Sequence, residues 1–183
     1  MKWNEKLGFE HDWNHIFKSL NGIKDIKFKW FQIRVVTRIL GTNITLYHMN
    51  IRNDNLCSFC HMHRESIEHL LFTCDFVMNF WNELKHLIVL NKCVDENFVI
   101  DNSVALFGYC NASKKDSVCY YILLSARFYV YRCRCSNQIP NLWSFIMYLS
   151  DLYVVIRFIS MKNQTVSKFD KEWEKWKCIL FVN

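Results

Sequence analysis

The chain has 183 residues, 51% of them hydrophobic and 16% aromatic, with four glycines, one proline and a formal net charge of +6. That length holds a core, and that apolar content excludes a disordered chain. So few turn residues exclude a β-sandwich and predict a mainly α-helical, compact domain.

The opening MKWNEKLGFEHDW is charged and polar, unlike a secretory signal. Nine cysteines then point to an intracellular, reducing setting, in the nucleus or the cytoplasm. No run reads as long and apolar enough to span a bilayer, since Arg127 interrupts one candidate and Asp151 and Arg157 the other, and no membrane partner is expected.

In chain order, Trp13, Ile16, Phe17 and Leu20 have helical spacing, and Asn21-Gly22 ends that short helix. A long helix is predicted over 23–40. Ile26, Trp30, Ile33, Thr37 and Leu40 form its expected core stripe. Lys24, Lys27, Phe31, Arg34 and Arg38 form a second stripe, four cations around one ring. Cations neutralise phosphates and an exposed ring stacks a base, so this face is a candidate nucleic-acid surface; a solvated basic face with Phe31 in the core is the alternative. Gly41 is the expected left-handed stop, with Thr42 or Asn43 capping a short helix over 44–49.

Residues 57–74 then carry C-x2-C-x8-H-x4-C: Cys57, Cys60, His69 and Cys74. Zn²⁺ takes a tetrahedron of thiolate and imidazole, and a closed set of four leaves no position for a catalytic water, so one structural zinc is expected. His61 and His63 are rival ligands that spacing alone does not exclude. The first pair falls on a tight turn and the second in an apolar-periodic run that Ser66 caps and that extends to Leu90. Five residues turn an α-helix by about 500°, which puts His69 and Cys74 on different faces. A loosened turn between them, or ligation near the helix start, is therefore predicted. Arg52, His61, His63 and Arg64 surround the loop and offset its anionic metal centre.

Residues 98–100 and 104–109 read as short strands or loop anchors. Residues 116–135 predict a helix that is apolar nearly all round, except for a face of Tyr120, Leu124, Arg127, Tyr131 and Arg134. That face either lines a groove or ties the helix to its neighbours. Pro140-Asn141 opens a further helix to about Met161, and Ser167 with Asp170 looks like the cap of a last one, docked by Phe169, Trp173, Trp176 and Leu180. Cys93, Cys110, Cys119, Cys133, Cys135 and Cys178 read as small buried hydrophobes. Residues 1–90, with the metal site, and 91–183 form two helical regions expected to pack as one unit.

The order Phe31-Gln32-x-Arg34, Arg38-Ile39-Leu40-x-Thr42-Asn43, Leu46, the four ligands and Trp81 resembles the zinc-binding region C-terminal to the reverse transcriptase of LINE-type non-LTR retrotransposons. Leu106-Phe107-Gly108 and Ala126-Arg127-x-Tyr129-x-Tyr131 extend the likeness, over about 17–134; Gly41 stands where that family often has proline. The resemblance implies a module that binds RNA template or target DNA during target-primed synthesis, beside a reverse transcriptase domain in the same or another chain. Lys24, Lys27, Phe31, Arg34, Arg38, Arg52, Arg64, Arg127 and Arg134 are the candidate contacts. No catalysis of its own is expected. The paired-carboxylate Tyr/Phe-x-Asp-Asp of a polymerase, the G-x-S-x-G elbow and the Walker loop are all missing, and the EWEK run reads as a solvated helix face. The competing reading is a zinc-stabilised protein-interaction domain with an apolar patch around Trp3 and Trp13.

Overall fold

The structure, a computed structural model, describes residues 3, 13–20, 23, 25–108 and 117–180. Among them the chain is mainly helical and forms no strand. The only extended pairing there is one antiparallel bridge, Leu56 to Arg64, which closes the metal loop.

Helix α1 (Trp13–Leu20) buries Ile16 and Leu20, and Trp13 packs edge-on against Phe107 at 5.4 Å. Helix α2 (Ile26–Val36) starts where Asp25 accepts from the Phe28 N–H at 2.8 Å. It is shorter than its periodicity predicts, and it presents the other face. Phe28, Phe31, Gln32, Val35 and Val36 are buried, whereas Ile26 and Trp30 are 71% and 56% exposed. The reason lies in the neighbour: Phe28 and Phe31 pack on Phe128, and Phe31 also on Tyr131 at 4.9 Å. The helix stops at Arg38, not Gly41. Arg38 takes φ 62° and its N–H returns to the Val35 carbonyl. Trp3, fully buried, donates to the Val36 carbonyl at 2.8 Å and meets Phe107 edge-on, so Trp3 and Trp13 make no surface patch.

Helix α3 (Asn43–His48) precedes the metal loop. A π-helical turn (His69–Thr73) and helix α4 (Asp75–Leu90) follow that loop. Of the two pieces read as strand or anchor, 98–100 is neither helix nor strand, and 104–107 belongs to helix α5 (Asn102–Phe107). Asp101 caps it through the Val104 N–H, and Gly108 closes it at φ 70°. Glycine suits that left-handed φ, which strains any other residue, and a Cβ there would also stand 2.7 Å from Leu124 Cδ2 and force it to shift.

Helix α6 (Ser117–Cys135) runs through the centre of the molecule, packed against α2, α5, the π turn and helix α7 (Leu142–Lys162). Asn141 caps α7 through the Ser144 N–H. Helix α8 (Val166–Trp173) starts after Thr165, two residues before the predicted Ser167 cap. A 3-10 turn (Glu174–Trp176) and helix α9 (Lys177–Leu180) complete the described chain. Buried side chains from Trp3 to Leu180 form one continuous core.

Two corrections concern surface and thiols. Helix α7 is, by length and composition, apolar enough to cross a membrane, contrary to the reading that no run is. Phe145, Ile146, Leu149 and Tyr153 face the core, while Trp143, Met147, Val154, Phe158 and Met161 are more than half exposed. Cys93, Cys119 and Cys133 are buried as expected, but Cys135 and Cys178 are exposed; Cys110 lies outside the described residues.

Candidate metal centre

Residues 57–60 turn tightly. The Cys57 carbonyl accepts from the His61 N–H at 3.0 Å, and the Cys57 N–H donates to the His63 carbonyl at 2.7 Å. Cys57 is buried and Cys60 half-buried. Ser66 Oγ accepts from the His69 N–H, as its predicted capping role requires, but the helix it opens widens at once. The Cys74 N–H bonds the His69 carbonyl five residues back, at 3.0 Å. This π turn is the loosening that the His69–Cys74 spacing predicts, because one extra residue in the turn brings Cys74 back towards His69. Trp81 braces it by donating to the Leu71 carbonyl at 2.8 Å. Cys74 then turns extended, at ψ 133°, and caps α4.

The donor atoms of Cys57, Cys60, His69 and Cys74 all lie within 4.8 Å of one another. Cys57 Sγ and Cys74 Sγ are 3.9 Å apart, and Cys60 Sγ and His69 Nε2 are 3.4 Å apart. Zn–S bonds of about 2.3 Å and Zn–N bonds of about 2.1 Å set tetrahedral edges of about 3.8 and 3.6 Å, so the four residues fit the ion. Thr73 Oγ1 meets His69 Nδ1 at 3.3 Å, which leaves Nε2 for the metal.

The thiols are already polarised. The Cys74 hydrogen bond pushes the Cys57 thiol down to about 5, against burial, with help from the Cys60 and Phe59 N–H groups. The same contact, with burial, pushes Cys74 above the ordinary thiol range, and the Phe76 N–H opposes it. Bound by these four residues, a divalent cation would take the place of the shared proton, so that Cys57 and Cys74 could both stand as thiolates. Of the rival ligands, His63 Nδ1 lies 3.9 Å from Cys60 Sγ, and His61 is exposed at φ 54°.

The candidate nucleic-acid contacts divide. Lys27, Arg34, Arg52 and Arg64 are exposed. Arg38 packs over the Trp3 ring and lies 4.0 Å from Glu68; Arg52 lies 3.6 Å from Asp54. Lys24 lies outside the described residues. Phe31 is 4% exposed and offers no stacking ring. Arg127 is fully buried and donates through Nε to Gln32 Oε1, with its two terminal nitrogens unpaired. Burial pulls its guanidinium down to about 10. Arg134 is spent on Glu65 and Asn43. Through Arg127 and Arg134, the Tyr/Arg face of α6 ties the helix to its neighbours.

The residues that sequence reasoning missed are Asn43, Ser58 and Glu65. Glu65 is completely buried, and its carboxylate accepts from the Asn43 N–H at 2.9 Å, the Ser58 N–H at 2.8 Å and Arg134 Nη2 at 2.8 Å. Their polar character reads as loop chemistry, and nothing local reveals the arginine that draws Glu65 inward.

Residues 3–81 match the family model described as zinc-binding in reverse transcriptase. The match spans both ligand pairs and ends on Trp81, the residue that braces the π turn. With the four-ligand cluster, it makes one structural zinc the cofactor of this chain. No curated protein matches the chain.

Proposed function

We propose that the chain is the nucleic-acid-binding zinc module of a LINE-type retrotransposon reverse transcriptase, gripping template RNA or target DNA and leaving synthesis to a polymerase domain in the same or another chain. The observation that carries this reading is the coincidence of the match over 3–81 with a set of four convergent ligand residues. A closed set fixes shape and does no chemistry. Around it the exposed cations Arg52 and Arg64 flank the loop, beside the exposed imidazoles of His61 and His63. Arg34 sits near Tyr131, whose phenol is raised mainly by burial and pulled back by Arg134 and Arg34. Lys27, Arg34, Arg52 and Arg64 are the contacts this reading keeps, and the module works in an intracellular, reducing setting.

The test is a binding titration against single- and double-stranded RNA and DNA over a range of salt. Affinity should fall with a log–log slope of about −0.7 per neutralised phosphate on single strands and about −0.9 on B-DNA. Arg34→Ala with Arg64→Ala should make that slope shallower and leave unfolding unchanged. Binding that ignores salt, or a double variant that binds as the parent does, contradicts the proposal.

A second reading has its own observation. The exposed row Trp143, Met147, Val154, Phe158 and Met161 on α7 suits a protein-docking face. It predicts weak nucleic-acid binding and a partner whose capture is lost in Phe158→Glu.

A further inference from the structure

We infer that Glu65 and Arg134 are positioning residues of the metal centre, so that the site is completed by a helix outside the segment that carries its ligands. Arg134 stands 69 residues along the chain from Glu65, near the end of α6. Its Nε and Nη2 reach Glu65 Oε1 at 2.9 and 2.8 Å, and Nη2 also donates to Asn43 Oδ1 at 2.8 Å. Glu65 passes this restraint to the ligand turn, because its Oε2 accepts from the N–H of Ser58, the residue after Cys57. Asn43 restrains the other side: its Nδ2 donates to the carbonyl of Leu56, the residue before Cys57, at 2.6 Å, and to Ser58 Oγ at 3.1 Å. Both neighbours of Cys57 are thus held from one buried carboxylate and one amide, and a single guanidinium holds those two together.

The chemistry favours a positioning role over a purely packing one. A buried carboxylate without its cation is an uncompensated charge, so Glu65 stays in place only while Arg134 does. Once Glu65 shifts, the Ser58 N–H loses its acceptor and the turn that sets the Cys57–Cys60 spacing is free to open. Partners outside the ligand set typically change metal affinity by 10–100-fold. The inference rests on the zinc assignment and is independent of whether nucleic acid binds.

The test uses the full chain, titrated with Co²⁺ and then Zn²⁺ against a competing chelator. Arg134→Met should weaken zinc binding by about 10–100-fold and alter the Co²⁺ ligand-field bands. Arg134→Lys, which keeps the charge and one donor, should recover part of the loss. Leu123→Ala is the control: Leu123 is fully buried on the same helix, and no clamp hydrogen bond involves it. At a matched loss of thermal stability it should keep affinity near that of the parent. Parental affinity in Arg134→Met overturns the inference, as does equal loss in Arg134→Met and Leu123→Ala, which would make Arg134 a packing residue only. Should Arg134→Met fail to fold, Glu65→Gln takes its place, since the amide keeps one acceptor oxygen but loses the charge Arg134 needs, and the same outcomes decide.

Discussion

The metal end of the molecule and its aromatic end are held by different forces. Around residues 43–81 the chain is organised by polar atoms: three sulfurs, an imidazole and the Glu65–Arg134–Asn43 clamp. Around α7 to α9 it is organised by rings. Tyr153 packs on Phe169 and Trp173 at 5.3 Å each, and Trp173 meets Tyr121 of α6 edge-on at 6.3 Å. Polar organisation depends on every partner being present, since a buried donor or charge left alone costs far more than its bond contributes. Aromatic burial degrades by area, one side chain at a time. The two ends should therefore fail differently.

The largest effect falls on the metal end. Structural zinc contributes about 10–16 kcal/mol in small peptides, comparable with the whole stability of a domain, about 5–15 kcal/mol. Chelation, or Cys60→Ser, should melt the loop and its π turn, seen as a lower Tm with EDTA than without. Identical melting curves would remove the contrast. Next comes Trp173→Ala at the aromatic end, expected to cost about 3–5 kcal/mol while the zinc content stays at one ion per chain. Loss of zinc in that variant would show that the two ends do not fail separately.

A smaller effect separates the two inward-facing arginines of α6. Arg134 is held by Glu65 and Asn43, whereas Arg127 is buried, donates to Gln32 through Nε and leaves both terminal nitrogens unpaired. Apolar replacement of a buried charge is often neutral or stabilising, by about 1–4 kcal/mol. Arg127→Met should therefore hold or raise the Tm, and Arg134→Met should lower it. A large loss in Arg127→Met would mean that its guanidinium has a partner worth keeping. The smallest effect is at the surface of the aromatic end. Arg157 grips Asp170 at 2.9 and 3.1 Å and holds its carboxyl below the usual range. A depressed acid stabilises the fold above its unfolded pKa, about 3.9, and that contribution is lost as pH falls through the folded value. Asp170→Asn should flatten the acid limb of the stability–pH curve slightly; an unchanged limb would leave the pair without measurable weight.

How much of this could be read from the residues follows the same division. Ligand chemistry is local, so the four-residue set, the Ser66 cap and the strained His69–Cys74 spacing were all legible. Whatever depended on a distant partner was not. Helix α2 has Phe28, Phe31, Val35 and Val36 on one side and Ile26, Trp30 and Ile33 on the other, and only Phe128 and Tyr131 of α6 decide that Phe31, not Trp30, goes inside. Glu65 looks like a loop carboxylate until Arg134 arrives. Helix α5 was the avoidable miss, since Asp101 and Gly108 are its cap and its stop.

The most direct test of the account is metal analysis of the full chain with Co²⁺ substituted for zinc. The account predicts one ion per chain and the intense tetrahedral bands of three thiolates and one imidazole, weakened in each of Cys57→Ser, Cys60→Ser, His69→Ala and Cys74→Ser. A chain purified without metal that takes up no Co²⁺, or one whose spectrum survives Cys74→Ser unchanged, would contradict it.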